Sequence, residues 1–210
     1  MVDFPTFDQQ SNHLTGRPME MEPLFKYLGD VLRLSKEDIE LSRPYWKKFK
    51  YGKGEYFNQY GNVCQHLGFI ISGVFRTYYI DENLKENTVF LYTQDEFVTA
   101  FRSMVQRIPC VYYVQALAPA HIVSIHINDL EKLYSLSKGW ERVGRSIAEE
   151  AFYKLLHRVE NLTFLSAEER YKQFLERHPN LPESIPQYHI ASFLGIETPS
   201  LSRIKKRLKG

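Results

Sequence analysis

Thr198, Ser200, Ser202, Arg203, Lys206 and Arg207 lie within one ten-residue stretch, with Lys205 and Lys209 beside them. These are groups that donate hydrogen bonds to anions and to the edges of nucleobases. Arginine carries a planar fork that pairs bidentately with guanine, and serine and threonine hydroxyls bond bases or phosphates. Lysine adds salt-dependent attraction to a phosphate backbone by releasing counterions. The chain as a whole is close to neutral, with 27 Lys and Arg against 25 Asp and Glu. The basic excess is therefore local: Arg203, Lys205, Lys206, Arg207 and Lys209 all fall in the last eight residues. A terminal basic run is by itself most often a solvated tail, so the residues before it must decide.

Those residues fit two short helices crossing over a tight turn. Between Gln187 and Lys206, Ile190, Leu194, Ile196, Leu201 and Ile204 are spaced to close one small core. Ala191 must be small where the second helix passes over it, and Gly195 supplies the left-handed backbone of the turn. Thr198 is expected to cap the second helix, with Pro199 at its first position, where a missing N–H costs nothing. Ser200, Arg203 and Arg207 then point outward. A helix with hydroxyls at its start and cations along its body suits the major groove of DNA. The competing reading is a generic helical hairpin with a solvated basic face, or a ligand- or protein-binding module without sequence-specific DNA binding.

Other chemistry is sparse. His66, His121 and His126 are the candidates for a metal-dependent β-barrel enzyme, but His121 and His126 are five apart and face opposite sides of one strand. Cys64 and Cys110 are too few for a disulfide framework, a four-thiolate zinc site or a cysteine-ligated iron–sulfur cluster. No catalytic residues, metal site or cofactor are expected. Tyr78, Tyr92, Tyr112 and Tyr113 are candidates to line an apolar pocket or to fill a core.

The elements that must position these residues can be read from the hydropathy pattern. At 43% hydrophobic and 25% charged, the chain has the composition of a folded protein rather than a disordered one. No apolar run reaches the roughly 20 residues of a membrane span, and Met1 to Asp8 do not resemble a secretory signal, so a cytoplasmic protein is expected. Leu24, Leu28, Val31 and Leu32 mark a first helix, and Ser35 with Glu37 and Asp38 starts a second. Between Phe49 and Ile127 the period changes to two, in short aromatic and β-branched runs punctuated by Gly52, Gly54, Gly61 and Gly73. Many short strands at close spacing indicate a barrel or jelly roll. Asn128 and Asp129 can cap the next segment.

From Trp140 to Leu165 a long amphipathic helix is expected. Its stripe of Gly144, Ala148, Ala151, Leu155, Val159 and Leu162 is small-sided at the start and bulky later, as at a helix–helix seam. The alternative is that this stripe packs on its own β domain. Ser166-Ala167-Glu168-Glu169 is a capping box opening a further helix that ends before Pro179, and residues 180–186 read as a loop. The fold class is thus α+β.

The β-rich N-terminal region, the long helix, Ser166-Ala167-Glu168-Glu169-Arg170-Tyr171, and Ile190-Ala191 to Leu194-Gly195 with Leu201-Ser202-Arg203 together resemble the CRP/FNR family of bacterial transcription regulators. The resemblance covers about residues 22–209; Lys53-Gly54-Glu55, the Gly61 turn and Gly68-Phe69-Ile70-Ile71-Ser72-Gly73 are similar to the early turns and strands of that family's β-roll. It implies an N-terminal arm over 1–21, a cyclic-nucleotide-binding-like β-roll over 22–138, a dimerisation helix over 139–165 and a helix-turn-helix domain over 166–210. The implied function is a homodimeric regulator reading a two-fold operator in double-stranded DNA. Thr198, Ser200, Ser202, Arg203, Lys206 and Arg207 would lie on DNA, and Gly144, Ala148, Ala151, Leu155, Val159 and Leu162 at the dimer interface. RNA polymerase and an unidentified small-molecule effector are further partners the resemblance leaves open.

The sequence departs from the family pattern in four places. Where cyclic-nucleotide binders carry Gly-Glu for the ribose and an Arg for the phosphate, the nearest positions read Thr99-Ala100 and Cys110-Val111, which makes ordinary cyclic AMP binding doubtful. The N-terminal cysteine cluster of the iron–sulfur branch is missing. Gly210 comes directly after the second helix, so backbone contacts from a β-hairpin wing are not expected. Pro199 also stands where relatives often have glutamate. Arg102 and Arg107 are near enough in sequence to replace the phosphate arginine, but nothing in the sequence turns them toward a pocket and surface positions suit them better.

Overall fold

The structure, a computed structural model, describes residues 21–209; the arm expected over 1–21 lies outside the described residues except for Met21. Helix α1 (Glu22–Asp30) buries Leu24, Phe25 and Leu28. It ends before Val31, which is exposed instead of continuing the apolar face, because the chain turns through Arg33 at φ +56°. Helix α2 (Lys36–Ser42) starts as expected, Ser35 Oγ accepting from the Asp38 N–H at 3.1 Å.

The β-roll consists of two antiparallel four-stranded sheets. Its strands are β1 (Trp46–Tyr51), β2 (Tyr56–Asn58), β3 (His66–Ser72), β4 (Phe75–Ile80), β5 (Glu86–Tyr92), β6 (Phe97–Val98), β7 (Tyr113–Ala116) and β8 (Ala120–His126). One sheet runs β1-β8-β3-β6 and the other β2-β7-β4-β5. Gly73, at φ +97°, makes the turn between β3 and β4, and any Cβ there would collide with Ala120. A short helix α3 (Phe101–Gln106) interrupts the run of strands, which the period-two pattern does not signal. Phe69, Ile70, Phe75, Val114, Ile122 and Ile125 are fully buried, Ile70 and Ile122 on the face of their sheet turned toward the second sheet and Phe69 and Ile125 on the face covered by helices.

Helix α4 (Ile127–Leu136) leads out of the roll. Its cap is His126, whose Nδ1 accepts from the Asn128 N–H at 3.1 Å, so Asn128 and Asp129 belong to the first turn rather than to the cap. Ser137 caps the long helix α5 (Lys138–Phe164), accepting from the N–H groups of Gly139 and Trp140. Trp140 packs 6.3 Å from Trp46 and donates its indole N–H to the Asp38 carbonyl, which anchors the base of α5 on the roll and α2. Helix α6 (Ala167–Arg177) opens on the expected capping box. The loop expected over 180–186 contains a helical turn, α7 (Leu181–Ser184), nucleated by Pro182 and held by buried Leu181. Helices α8 (Gln187–Leu194) and α9 (Thr198–Lys209) complete the described chain.

Candidate nucleic-acid interface

Helices α8 and α9 are joined by the turn that the sequence predicts. Gly195 has φ +67°, its N–H donates to the Ser192 carbonyl and the Ile196 N–H to the Ala191 carbonyl, a Schellman closure that needs a residue free of Cβ strain. Ile190, Ala191, Leu194, Leu201 and Ile204 are buried, and Ile196 packs on them partly buried. The start of α9 differs by one residue from expectation. The Leu201 N–H donates to the Glu197 carbonyl at 3.1 Å, so Glu197 is the N-cap and Thr198 the first helical residue, with Pro199 next. Proline is still harmless there, because the first-turn N–H groups have no intrahelical acceptor.

With Leu201 and Ile204 turned inward, Thr198, Ser202, Arg203, Lys206 and Arg207 are exposed, and Ser200 is half-buried. Arg203 Nη2 donates to Ser200 Oγ at 3.1 Å, which holds the guanidinium along the helix. Arg207 approaches Glu168 at 3.5 Å, and Lys205 Nζ donates to Gln187 Oε1 at 2.9 Å, tying the two helices together. Five of the six expected DNA contacts therefore share one solvent-facing surface, and Ser200 supports Arg203 at its edge.

Sequence reasoning missed how this unit is mounted. Ser192 Oγ accepts from the Thr88 N–H at 2.8 Å and donates to the Glu86 carbonyl at 3.0 Å, so α8 covers β5, the edge strand of its sheet. Arg76, only 3% exposed in β4, is the centre of the contact. Its guanidinium pairs with Glu86 at 2.5 Å, donates to Gln115 Oε1, lies over the Tyr78 ring at 3.7 Å, and donates to His189 Nδ1 at 3.0 Å. Burial and the charges of Arg76 and Lys53 push the His189 imidazole down to about 4, so it is neutral and accepts at neutral pH. Val74, Leu91 and Leu117 of the roll share one apolar core with α6, α7, α8 and α9. The available signal was an arginine inside the strand-like run Val74 to Ile80, a charge that must find partners if buried.

The root of α8 is held by two further arginines. Arg170 donates to the carbonyls of Leu194 and Leu165, at the C-terminal ends of α8 and α5. Arg158 lies 4.6 Å over Phe193, and burial together with Arg170 pushes it down to about 10.

Along α5 the expected seam divides. Gly144 faces its own chain: a Cβ there would strike the Tyr134 ring of α4, which gives an intrachain reason for the small residue. Ala148 and Ala151 are half-buried beside a cavity, whereas Leu155, Val159 and Leu162 are 50%, 53% and 44% exposed. Phe152, Tyr153, Leu156 and Phe164 are exposed near them. The fully buried positions, Trp140, Val143 and Ile147, all lie in the first half of α5; beyond them it meets the roll through Lys154 on Glu96 and Arg158 on the Thr88 carbonyl.

The cavity, about 490 Å³, lies between the roll and α5. Thr99, Ala100, Cys110 and Val111, which stand where cyclic-nucleotide binders carry their ligand-binding residues, all line it. Arg102 reaches its rim, with Nε on Gln106, but Arg107 turns away to Glu131 at 2.7 Å. Of the four tyrosines, Tyr92 and Tyr112 line the cavity; Tyr78 and Tyr113 stack on each other at 5.0 Å instead. His66 and His126 do meet, with ring centroids 5.1 Å apart, while His121 contacts Ser72; no cluster of three metal-ligating side chains forms among the described residues. No helix among those residues is long and apolar enough to cross a membrane.

Residues 48–137 match the sequence profile of the cyclic nucleotide-binding domain. No curated protein matches the chain. Among solved structures it is similar to FixK2 from Bradyrhizobium japonicum, with TM-score 0.70 and 14% identity over 78% of this chain and 84% of that one. The c-di-GMP-responsive global regulator CLP of Xanthomonas campestris superposes with TM-score 0.64 and 18% identity, covering 83% of this chain and 92% of CLP. A protein from Eubacterium rectale assigned to the CRP/FNR family of transcriptional regulators gives TM-score 0.64 at 14% identity, with 84% of each chain covered. With a helix-turn-helix docked on a β-roll and a long helix between them, and with residues 48–137 similar to the cyclic nucleotide-binding domain, the chain has the fold of the CRP/FNR-type regulators.

Proposed function

We propose that the protein is a homodimeric transcription regulator that reads a two-fold DNA site through α9. The observation that carries this reading is the division of labour within the C-terminal unit. The inward faces of α8 and α9 are consumed by the core and by the roll, while Arg203, Ser202, Lys206 and Arg207 stay exposed on one side of α9. Arg203 is the residue for a base edge, Thr198 and Ser202 for bases or phosphates near the helix start, and Lys206 and Arg207 for the backbone. The exposed Leu155, Val159 and Leu162 of α5 support pairing with a second copy, which would set two α9 helices about 34 Å apart, one turn of DNA.

The test is selection of fragmented genomic DNA by the purified protein, with Arg203→Ala alongside and salt varied. One two-fold motif is expected, lost in the variant. Equal, motif-free retention of DNA by both proteins at low salt only would overturn the reading.

A further inference from the structure

We infer that the cavity between the β-roll and α5 is a binding site for an uncharged, apolar small molecule rather than for a cyclic nucleotide. At about 490 Å³ it has the size of an ordinary ligand pocket, and its body is formed by Leu67, Phe90 and Tyr112 of the roll against Ile147, Ala151 and Leu155 of α5. Four of its polar side chains are already engaged. Thr99 Oγ1 donates to the His66 carbonyl at 2.9 Å, Ser103 Oγ to the Ile108 carbonyl at 2.6 Å, and Thr77 Oγ1 to the Tyr92 hydroxyl at 3.5 Å. The ammonium of Lys154 is held by Glu96 at 2.8 Å and Glu150 at 3.1 Å.

A phosphate inside would find Lys154 already held by Glu96 and Glu150, with Glu150 on the wall, leaving the exposed Arg102 as the one lining cation without a carboxylate partner. Arg102 is exposed at the rim and cannot serve a buried phosphate without leaving water. The Cys110 thiol is pushed up by burial and stays neutral, in keeping with an apolar lining. A neutral, apolar ligand gives up no charge solvation on entry and covers carbon on both walls. It would touch the roll and the α5 turns from Ile147 to Leu155 at once, so it would fix the long helix against the roll. That regulatory consequence rests on the DNA-binding reading; the binding itself does not.

The experiment titrates the full chain, without DNA, with the neutral fluorophore N-phenyl-1-naphthylamine, using cyclic AMP and c-di-GMP as competitors. Saturable binding is expected, unaffected by either nucleotide. Ala151→Phe, which fills the cavity, should weaken it at least tenfold, while Arg102→Ala and Phe164→Gln leave it unchanged. Leu155→Trp places an indole at the mouth whose emission the bound probe should quench, and keeps the test decisive if Ala151→Phe does not fold. Failure of the probe to saturate, or no quenching in Leu155→Trp, overturns the inference. So does displacement by a cyclic nucleotide that disappears in Arg102→Ala, or loss of binding in Phe164→Gln, which would place the probe on the outer face of α5. Binding of DNA in the selection experiment is unaffected by any of these results, so the two proposals fail separately.

Discussion

At the scale of single residues, Arg76 and His189 form the buried polar contact between the roll and α8. A buried guanidinium needs acceptors, and it has a carboxylate, an amide oxygen and an imidazole nitrogen that must be unprotonated. The His189 pKa, about 4 in this arrangement, lies below the ordinary 6.5, so the undocked or unfolded chain binds more protons below pH 6.5. The stability contributed by neutral His189 is therefore present above about pH 6.5 and is lost as pH falls toward 4. Lys53 and Arg76 face the ring with positive charge, and Glu86, beyond Arg76, is the neighbouring carboxylate. His189→Gln offers Arg76 an acceptor that does not titrate. The gap in Tm between wild type and this variant should shift in the variant's favour between pH 7 and 4.5; a constant gap would mean that His189 does not titrate in the contact. Glu86→Gln should cost about 1–2 kcal/mol in denaturant unfolding, the figure reduced because Glu86 is 42% exposed.

At the scale of elements, what could be read from sequence depended on whether the cause was local. The turn at Gly195 was legible because its helix-capping bonds and positive φ are set within six residues, 191 to 196. The capping box at Ser166 was legible for the same reason, and Ser166→Ala should lower stability by about 1 kcal/mol, read as a reduced midpoint in urea. Gly195→Ala should cost at least as much, since the new Cβ meets both the left-handed backbone and Leu162 Cδ2 at 3.1 Å. Elements fixed by distant packing were not legible. Helix α3 sits in a segment whose composition resembles a strand, and it is held by Ser103, buried beneath Cys64. Nothing near Arg76 in sequence marks it as a docking residue, because its partners are Glu86, Gln115 and, 113 positions away, His189. The same limit applies to Gly144, whose smallness suggested a seam and is accounted for by Tyr134.

At the scale of the whole molecule, the intrachain contacts cover one functional face and leave two exposed. The docking face of α8 is spent on the roll, the basic face of α9 is exposed, and the second half of α5 exposes Leu155, Leu156, Val159 and Leu162 along one helix. Isolated exposed leucines need no explanation, but a run of them on a single helix beside Phe152 and Phe164 does. If a second copy covers this run, a charge placed within it must be buried unpaired on both sides of the two-fold axis, and the pair will separate. Val159→Glu should therefore sediment as a monomer at concentrations where the wild type is a dimer, with an unchanged far-ultraviolet circular dichroism spectrum because Val159 contributes little to the intrachain core. The same variant should bind a selected two-fold site at least about 100-fold more weakly, because each half-site then binds alone instead of at the high effective concentration of a tethered pair. Its affinity for an isolated half-site should stay unchanged, since α9 and its mount on the roll are untouched. A dimeric Val159→Glu protein would move the interface off α5, and a monomer that retained full affinity for the two-fold site would show that a single α9 suffices.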